Sequence, residues 1–255
     1  MKQRLFRKTA PTGSREIWLS NRQRLLNANT PFAVKEAYIK IRTNLMFCMA
    51  KDGDTPCRIF AVTSANPSEG KSLTAANLAI CYAMLGKRTL LIDADLRKPA
   101  QRRLWNIKTP GGLCDYLARI RPLEESRVDG LPLWIICAGI IPPNPSELLA
   151  SDRMKRFIQA CAREYEYIII DTPPINTVAD AQIVSTFSDG MIVVAKSGHT
   201  TTDAIDAAVA AISRAGGNLC GVVVNGMDMK TIKHSAKYRY SNRYEYRYGN
   251  YNEHR

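Results

Sequence analysis

The chain has 255 residues, of which 45% are apolar and 23% charged, and its formal net charge is +13. This length suffices for one α/β core. No apolar run approaches the roughly 18–20 residues that cross a bilayer. The basic N-terminal residues lack the apolar segment of a secretory signal. The seven cysteines lie far apart, which argues against a zinc site or a disulfide framework and favours reduced thiols in a cytoplasmic protein.

The positive charge is concentrated at the two ends of the chain. Residues 1–42 hold ten Lys and Arg against two acidic residues, and residues 230–255 hold seven against two. The centre, residues 43–229, holds nineteen of each sign and is neutral. A neutral centre argues against a fold dedicated to nucleic-acid binding, so we expect no nucleic-acid partner.

Short apolar runs rich in β-branched residues alternate with helical patterns along the centre. The predicted strands span residues 58–64, 88–94, 131–138, 165–171, 190–196 and 218–225. The predicted helices span residues 33–50, 71–85, 112–118, 146–164, 179–187 and 202–215. This alternation predicts an α/β fold with a doubly wound, mostly parallel sheet. The chain then divides into a basic arm at 1–32, one folded domain at 33–229 and a tail at 230–255.

The first predicted strand runs into TSANPSEGKS, which ends at the start of a predicted helix. Gly70-Lys71-Ser72 at a strand-to-helix junction matches the end of the phosphate-loop pattern, although Ala65 replaces the first glycine. In such a loop the backbone N–H groups from Ser68 to Leu73 face the phosphates. Lys71 would neutralise phosphate oxygens and the Ser72 hydroxyl would bind Mg²⁺. The pattern predicts a P-loop NTPase fold that uses ATP and Mg²⁺.

Acidic residues follow two of the other predicted strands. Asp93 and Asp95 close the second strand, and Asp171 closes the strand at 165–171. The carboxyl ends of parallel strands are where such sheets place ligands. An ATPase needs only Lys71, Ser72 and one acidic residue, so the additional pair suggests a base for a hydroxyl nucleophile.

Together these motifs resemble the bacterial tyrosine kinases that serve capsule and exopolysaccharide synthesis. TSANPSEGKS, LLIDADLRKP and IIIDTPP are similar to the Walker A, A′ and B motifs of that family, and GIIPPNPSELLAS at 139–151 is similar to a further signature. The resemblance implies that Asp93 receives the tyrosine proton, while Asp95 and Asp171 hold or orient Mg²⁺. It also implies that Asn225, at the end of the last predicted strand, contacts the adenine.

The tail KYRYSNRYEYRYGNYNEHR holds six of the eleven tyrosines, and its composition predicts a solvated, disordered segment. The resemblance identifies it as an autophosphorylated tail, which the kinase would modify in trans. Its candidate phosphorylation sites are Tyr238, Tyr240, Tyr244, Tyr246, Tyr248 and Tyr251.

The resemblance also implies partners. A membrane-spanning adaptor of the polysaccharide co-polymerase type would activate the kinase and recruit it to the inner face of the plasma membrane, and a tyrosine phosphatase would reverse the modification. Family members form rings through the motif E-x-x-R-x-x-R. Here Glu36 and Arg42 are present but Ile39 replaces the middle arginine, so the ring contact would be incomplete.

Two alternatives belong to other functional classes. A partition or division-site ATPase shares the P-loop, but its signature lysine is Asn66 here, and it has no reason to carry a tyrosine cluster. A binder of single-stranded nucleic acid or of membrane surfaces would use the basic, aromatic tail. The second alternative leaves the three acidic residues unexplained.

Overall fold

The structure is a computed structural model that describes residues 20–48 and 57–227. The helices are α1 (Phe32–Cys48), α2 (Lys71–Ala83), α3 (Gln101–Trp105), α4 (Leu113–Leu117), α5 (Pro145–Ala150), α6 (Asp152–Cys161), α7 (Asp180–Ser185) and α8 (Thr202–Arg214). The strands are β1 (Arg58–Ser64), β2 (Thr89–Asp93), β3 (Ser126–Arg127), β4 (Leu133–Ile136), β5 (Tyr167–Asp171), β6 (Gly190–Lys196) and β7 (Leu219–Asn225).

The strands form one seven-stranded sheet in the order β3-β4-β2-β5-β1-β6-β7. Only the short β3 runs antiparallel to its neighbour, which confirms the predicted mostly parallel, doubly wound sheet. β1 lies between β5 and β6, so the loop that follows β1 emerges at the middle of the carboxyl edge. That position brings the ends of β2 and β5 close to the loop.

Each face of the sheet carries its own apolar core. Along β5, Ile168 and Ile170 pack into one core and Ile169 packs into the other. This alternation follows from the two-residue period of a strand. Because both faces are buried, the strands read as continuous apolar runs in the sequence.

The predicted helix at 146–164 is wrong as a single element. Ser151 has an extended backbone and its hydroxyl donates to the Leu148 carbonyl at 2.7 Å, which ends α5. The same hydroxyl accepts from Met154 N at 3.2 Å and caps α6. α3 and the two-residue β3 were not predicted from the sequence. The last two residues of the predicted helix 33–50 lie outside the described residues.

Part of the predicted N-terminal arm is packed onto α2. Leu26 is buried, and its backbone N donates to Asn77 Oδ1 at 2.9 Å. Asn77 Nδ2 in turn donates to the Arg24 carbonyl at 3.2 Å. Packing in the described structure therefore begins before residue 33. The predicted phosphorylation sites, residues 238–251, lie outside the described residues.

Across 20–48 and 57–227, no helix combines the length and the apolar character that a membrane crossing requires.

Candidate functional site

The loop between β1 and α2 has the backbone of a tight turn. Ser68 has a φ of 66° and Gly70 a φ of 95°. A Cβ on Gly70 would lie 2.1 Å from Asn225 Nδ2. Two features therefore require glycine at position 70: the left-handed backbone conformation and the close approach of Asn225 at the end of β7.

The Glu69 side chain stabilises this loop from within. Glu69 is 1% exposed, and its carboxylate accepts from Asn66 N at 2.9 Å and Asn66 Nδ2 at 3.2 Å. The Thr200 hydroxyl, beyond β6, donates to the same carboxylate. The Glu69 carbonyl accepts from Asn225 Nδ2 at 3.0 Å. Sequence reasoning placed Glu69 in the loop for its backbone alone and missed this role of its side chain.

Lys71 begins α2 and lies among the predicted carboxylates. Its Nζ is 2.7 Å from Asp95 Oδ2 and 3.4 Å from Asp171 Oδ1, and 3.2 Å from Ser72 Oγ. Burial by itself would lower the pKa of Lys71, but the nearby Asp171 and Asp95 carboxylates outweigh it and raise the pKa to about 12. Lys71 is therefore a permanent positive charge. The structure brings together four of the residues predicted to act on phosphate and metal.

Asp93 is fully buried and lies opposite Asp171 in the register of β2 and β5. Its Oδ2 accepts from Ala100 N at 3.0 Å and Gln101 N at 2.9 Å, which caps α3. Its Oδ1 is buried without a hydrogen-bond partner. Burial and the negative charge of Asp171 raise the pKa of Asp93 to about 8, and burial also raises the pKa of Asp171.

Gln101 is a site residue that the sequence prediction missed. Its Nε2 donates to Asp171 Oδ2 at 2.9 Å and to the Ser72 carbonyl at 3.0 Å. It therefore fixes the carboxylate beside Lys71 to the first turn of α2. A single glutamine outside the three motifs carries no sequence signal for such a role.

The further signature at 139–151 meets the Walker A′ loop through a buried carboxylate. Arg97 Nε and Nη2 donate to both oxygens of Asp180 at 2.8 and 3.1 Å. Ser146, in α5, donates to Asp180 at 2.6 Å and accepts from Arg97 Nη2 at 3.1 Å. Asp180 is completely buried. The signature therefore holds the loop that carries Asp95.

A cavity of about 610 Å³ opens over the phosphate loop. Most of the predicted nucleotide-site residues line it: Ser68, Gly70, Lys71, Ser72, Leu73, Asp95 and Asn225. Glu69, Asp93 and Asp171 lie behind its wall. Asn21 and Arg24, from the predicted N-terminal arm, also line the cavity, and no sequence pattern predicted this.

The residues around Lys71 fit Mg²⁺. Lys71 contacts two carboxylates, Asp95 and Asp171, and Oδ1 of the buried Asp93, next to Asp171 in the sheet register, has no hydrogen-bond partner. Carboxylate and hydroxyl oxygens are the ligands that Mg²⁺ prefers. Within the described ranges, no three His, Cys, Asp or Glu side chains are arranged to hold a metal by themselves. Mg²⁺ bound with a nucleotide needs only one or two carboxylates, because phosphates and water supply the rest.

One residue of the predicted ring motif, Arg42, makes a contact inside the subunit. Arg42 Nη1 donates to the Cys81 carbonyl near the end of α2 at 3.0 Å. Its Nε is buried without a hydrogen-bond partner. Arg42, one of the two charged residues that the motif retains, is therefore directed toward α2 of its own subunit.

Comparisons with known proteins agree with the motifs. Residues 57–245 match the model of the ParA family, described as NUBPL iron-transfer P-loop NTPase. The chain is 40% identical to the tyrosine-protein kinase YwqD of Bacillus subtilis, over 78% of this chain and 83% of that protein. It is 34% identical to a putative tyrosine-protein kinase in the cps region of Klebsiella pneumoniae, over 76% of this chain and 27% of that longer protein. Among solved structures, the kinase domain of the Escherichia coli tyrosine kinase ETK superposes with a TM-score of 0.73 at 32% identity, covering 82% of this chain and 86% of that domain.

Proposed function

The chain belongs to the bacterial tyrosine-protein kinases, and from this premise we propose that it phosphorylates the tyrosine cluster of its own tail in trans. In this proposal ATP supplies the phosphoryl group and Tyr238–Tyr251 contain the acceptors. The modification would regulate the synthesis and export of a capsular or extracellular polysaccharide. The observation that carries the proposal is Lys71, held between Asp95 and Asp171 at the start of α2, in a chain 40% identical to a tyrosine-protein kinase.

The proposed binding roles follow from the lining of the cavity. The loop backbone from Ser68 to Leu73 and the N-terminus of α2 would surround the phosphates. Lys71 would exchange its contact with Asp95 for phosphate oxygens. Ser72, Asp95 and Asp171 would hold Mg²⁺, which neutralises charge on the transferred phosphoryl group. Asn225 lines the same cavity, which supports a contact with the nucleotide base.

Asp93 is our proposed base for the tyrosine proton. Its Oδ1 accepts no hydrogen bond within the described structure, so the ionised form of this carboxylate has an oxygen available to receive a proton. Asp95 is the competing candidate, because it lines the cavity whereas Asp93 lies behind it. Loss of transfer in Asp93→Asn with ATP binding retained would support Asp93. The same pattern in Asp95→Asn alone would transfer the role to Asp95.

The proposed partners rest on the family. They are a membrane-spanning adaptor of the polysaccharide co-polymerase type, which would bring the kinase to the inner face of the plasma membrane, and a tyrosine phosphatase. Self-association is needed for phosphorylation in trans, and the inward position of Arg42 means that it would use contacts other than the complete ring motif.

A second candidate is an ATPase switch without a phosphoryl acceptor, which the match to the ParA model favours. Intact mass spectrometry with peptide mapping separates the two after the full chain is incubated with ATP and Mg²⁺. Mass added in single phosphates, mapped to 238–251 and absent in Lys71→Met, supports the kinase. Free phosphate without added mass supports the switch. If neither appears, the cytoplasmic tail of the adaptor is added, and failure then rejects autophosphorylation.

A further inference from the structure

Two of the seven cysteines are accessible, and these two are neighbours. Five cysteines are buried, whereas Cys48 is exposed and Cys220 is partly exposed. The Cys48 Sγ donates to the Cys220 carbonyl at 3.4 Å. The pair is 172 residues apart in the sequence, so no sequence spacing reveals it.

The two thiols join different parts of the fold. Cys48 is the last residue of α1 and Cys220 is the second residue of β7, which lies at the edge of the sheet. The end of α1 lies against β7. A bond between them would connect a helix packed on α2 to the strand that ends at Asn225.

We propose that Cys48 and Cys220 form a reversible intramolecular disulfide, a modification site for two-electron oxidants of the peroxide class. The Cys48 thiol first releases its proton, and the thiolate attacks one peroxide oxygen. The O–O bond breaks, and the leaving hydroxide takes up the released proton to give water and a sulfenic acid. The Cys220 thiol then attacks the Cys48 sulfur. Its proton and the sulfenic hydroxyl leave as a second water, and the disulfide remains.

The different environments of the two thiols set this order. Cys48 is open to solvent, where a peroxide reaches it. Cys220 is only partly exposed and its carbonyl lies 3.4 Å from the Cys48 Sγ, so Cys220 is the neighbour positioned to act as the resolving thiol. The five other cysteines are buried and are expected to stay reduced in the folded chain.

The disulfide would reach the phosphate loop through β7. Asn225, at the far end of the same strand, donates to the Glu69 carbonyl in that loop. Fixing the start of β7 to α1 would therefore restrict the strand that supports the nucleotide site.

The test uses the full chain, reduced first and then titrated with hydrogen peroxide. We expect a monomer that loses the mass of two hydrogens, a peptide that links Cys48 to Cys220, and complete reversal by dithiothreitol. Cys48→Ser and Cys220→Ser should each abolish the link, while Cys57→Ser, which removes a buried thiol, should retain it. Matching melting curves under reducing conditions confirm that the variants fold.

Three outcomes would overturn the proposal. They are dimers linked through Cys48, a sulfinic acid at Cys48 beside an unmodified Cys220, and a disulfide that involves a buried cysteine. Wild-type peptide maps alone decide among them, so the result stands even if a variant fails to fold. None of these readouts depends on phosphoryl transfer.

Discussion

Replacing Thr200 by valine should weaken ATP binding, although Thr200 lies behind the cavity. The Thr200 hydroxyl donates to the buried Glu69 carboxylate and accepts from Lys196 N at 2.7 Å. Valine has nearly the same shape but has no hydroxyl. The Glu69 carboxylate would keep its two hydrogen bonds from Asn66 and would lose the only hydrogen bond that it receives from outside the loop among the described residues.

The magnitude follows from the charge and burial of Glu69. A hydrogen bond to a charged group contributes about 1.5–3 kcal/mol, and an acceptor left short of a donor in a buried position loses at least as much. We therefore estimate that, in Thr200→Val, holding the loop in its phosphate-binding conformation costs about 2 kcal/mol more than in the wild type. Since about 1.4 kcal/mol corresponds to a tenfold change, ATP affinity should fall roughly 10- to 30-fold.

Two quantities are measured. The Kd of a non-hydrolysable ATP analogue is obtained by calorimetry, and the phosphorylation rate is measured separately at saturating ATP. Thr200→Ser keeps the hydroxyl and is the matched control. Thr200→Val should raise the Kd with the saturated rate nearly unchanged, because Lys71 and the carboxylates stay in place. The reasoning fails if Thr200→Val binds within twofold of wild type, or if Thr200→Ser is equally weak.

Three further changes test other parts of the site. Asp93→Asn should stabilise the free protein against unfolding by on the order of a few kcal/mol at pH 8, and this gain should shrink toward pH 4. The reason is that the folded protein keeps the Asp93 proton up to the raised pKa of about 8, whereas the unfolded chain releases it near pH 4. If Asp93 is instead ionised in the fold, the melting temperatures of the two proteins should differ by the same amount across this pH range. Arg97→Lys loses the bidentate hydrogen bonds to the buried Asp180, which should lower the free energy of unfolding by roughly 1–3 kcal/mol and also reduce tail phosphorylation. An unchanged melting temperature would show that these hydrogen bonds do not stabilise the fold. Arg42→Ala should lower the stability of each subunit by about 1 kcal/mol, since Arg42 donates to α2, with the mass in sedimentation unchanged; a smaller assembly with unchanged melting would return Arg42 to a ring interface.

Sequence reasoning found the parts of the site that depend on local pattern. A β-branched strand, a Gly-Lys-Ser turn and an apolar strand that ends in aspartate each occupy a few consecutive residues. The structure confirms the positions of these elements. The pattern also predicted that the aspartates at the ends of two strands lie near the phosphate loop, because parallel strands place their carboxyl ends at one edge of the sheet.

Other contributions could not be predicted, because they depend on contacts between distant residues. Glu69 meets Thr200 across 131 positions, and Gln101 meets Asp171 across 70. Ser151 divided a predicted helix through the hydrogen bonds of its own hydroxyl. A serine within a helical pattern is compatible with either outcome, and the fold decides which one occurs.

The position of Asn225 explains how one strand serves both the nucleotide loop and the start of the tail. Asn225 Nδ2 donates to the Glu69 carbonyl, and Asn225 Oδ1 accepts from Gly226 N at 2.8 Å. Its amide fills the space that a side chain at residue 70 would need. Because Gly70, Glu69 and Asn225 pack closely, a shift of the phosphate loop would either break the hydrogen bond from Asn225 or move the end of β7. The loop that is proposed to hold ATP is thereby linked, through the Asn225 side chain, to the end of β7, the last described strand before the proposed acceptor segment in the sequence.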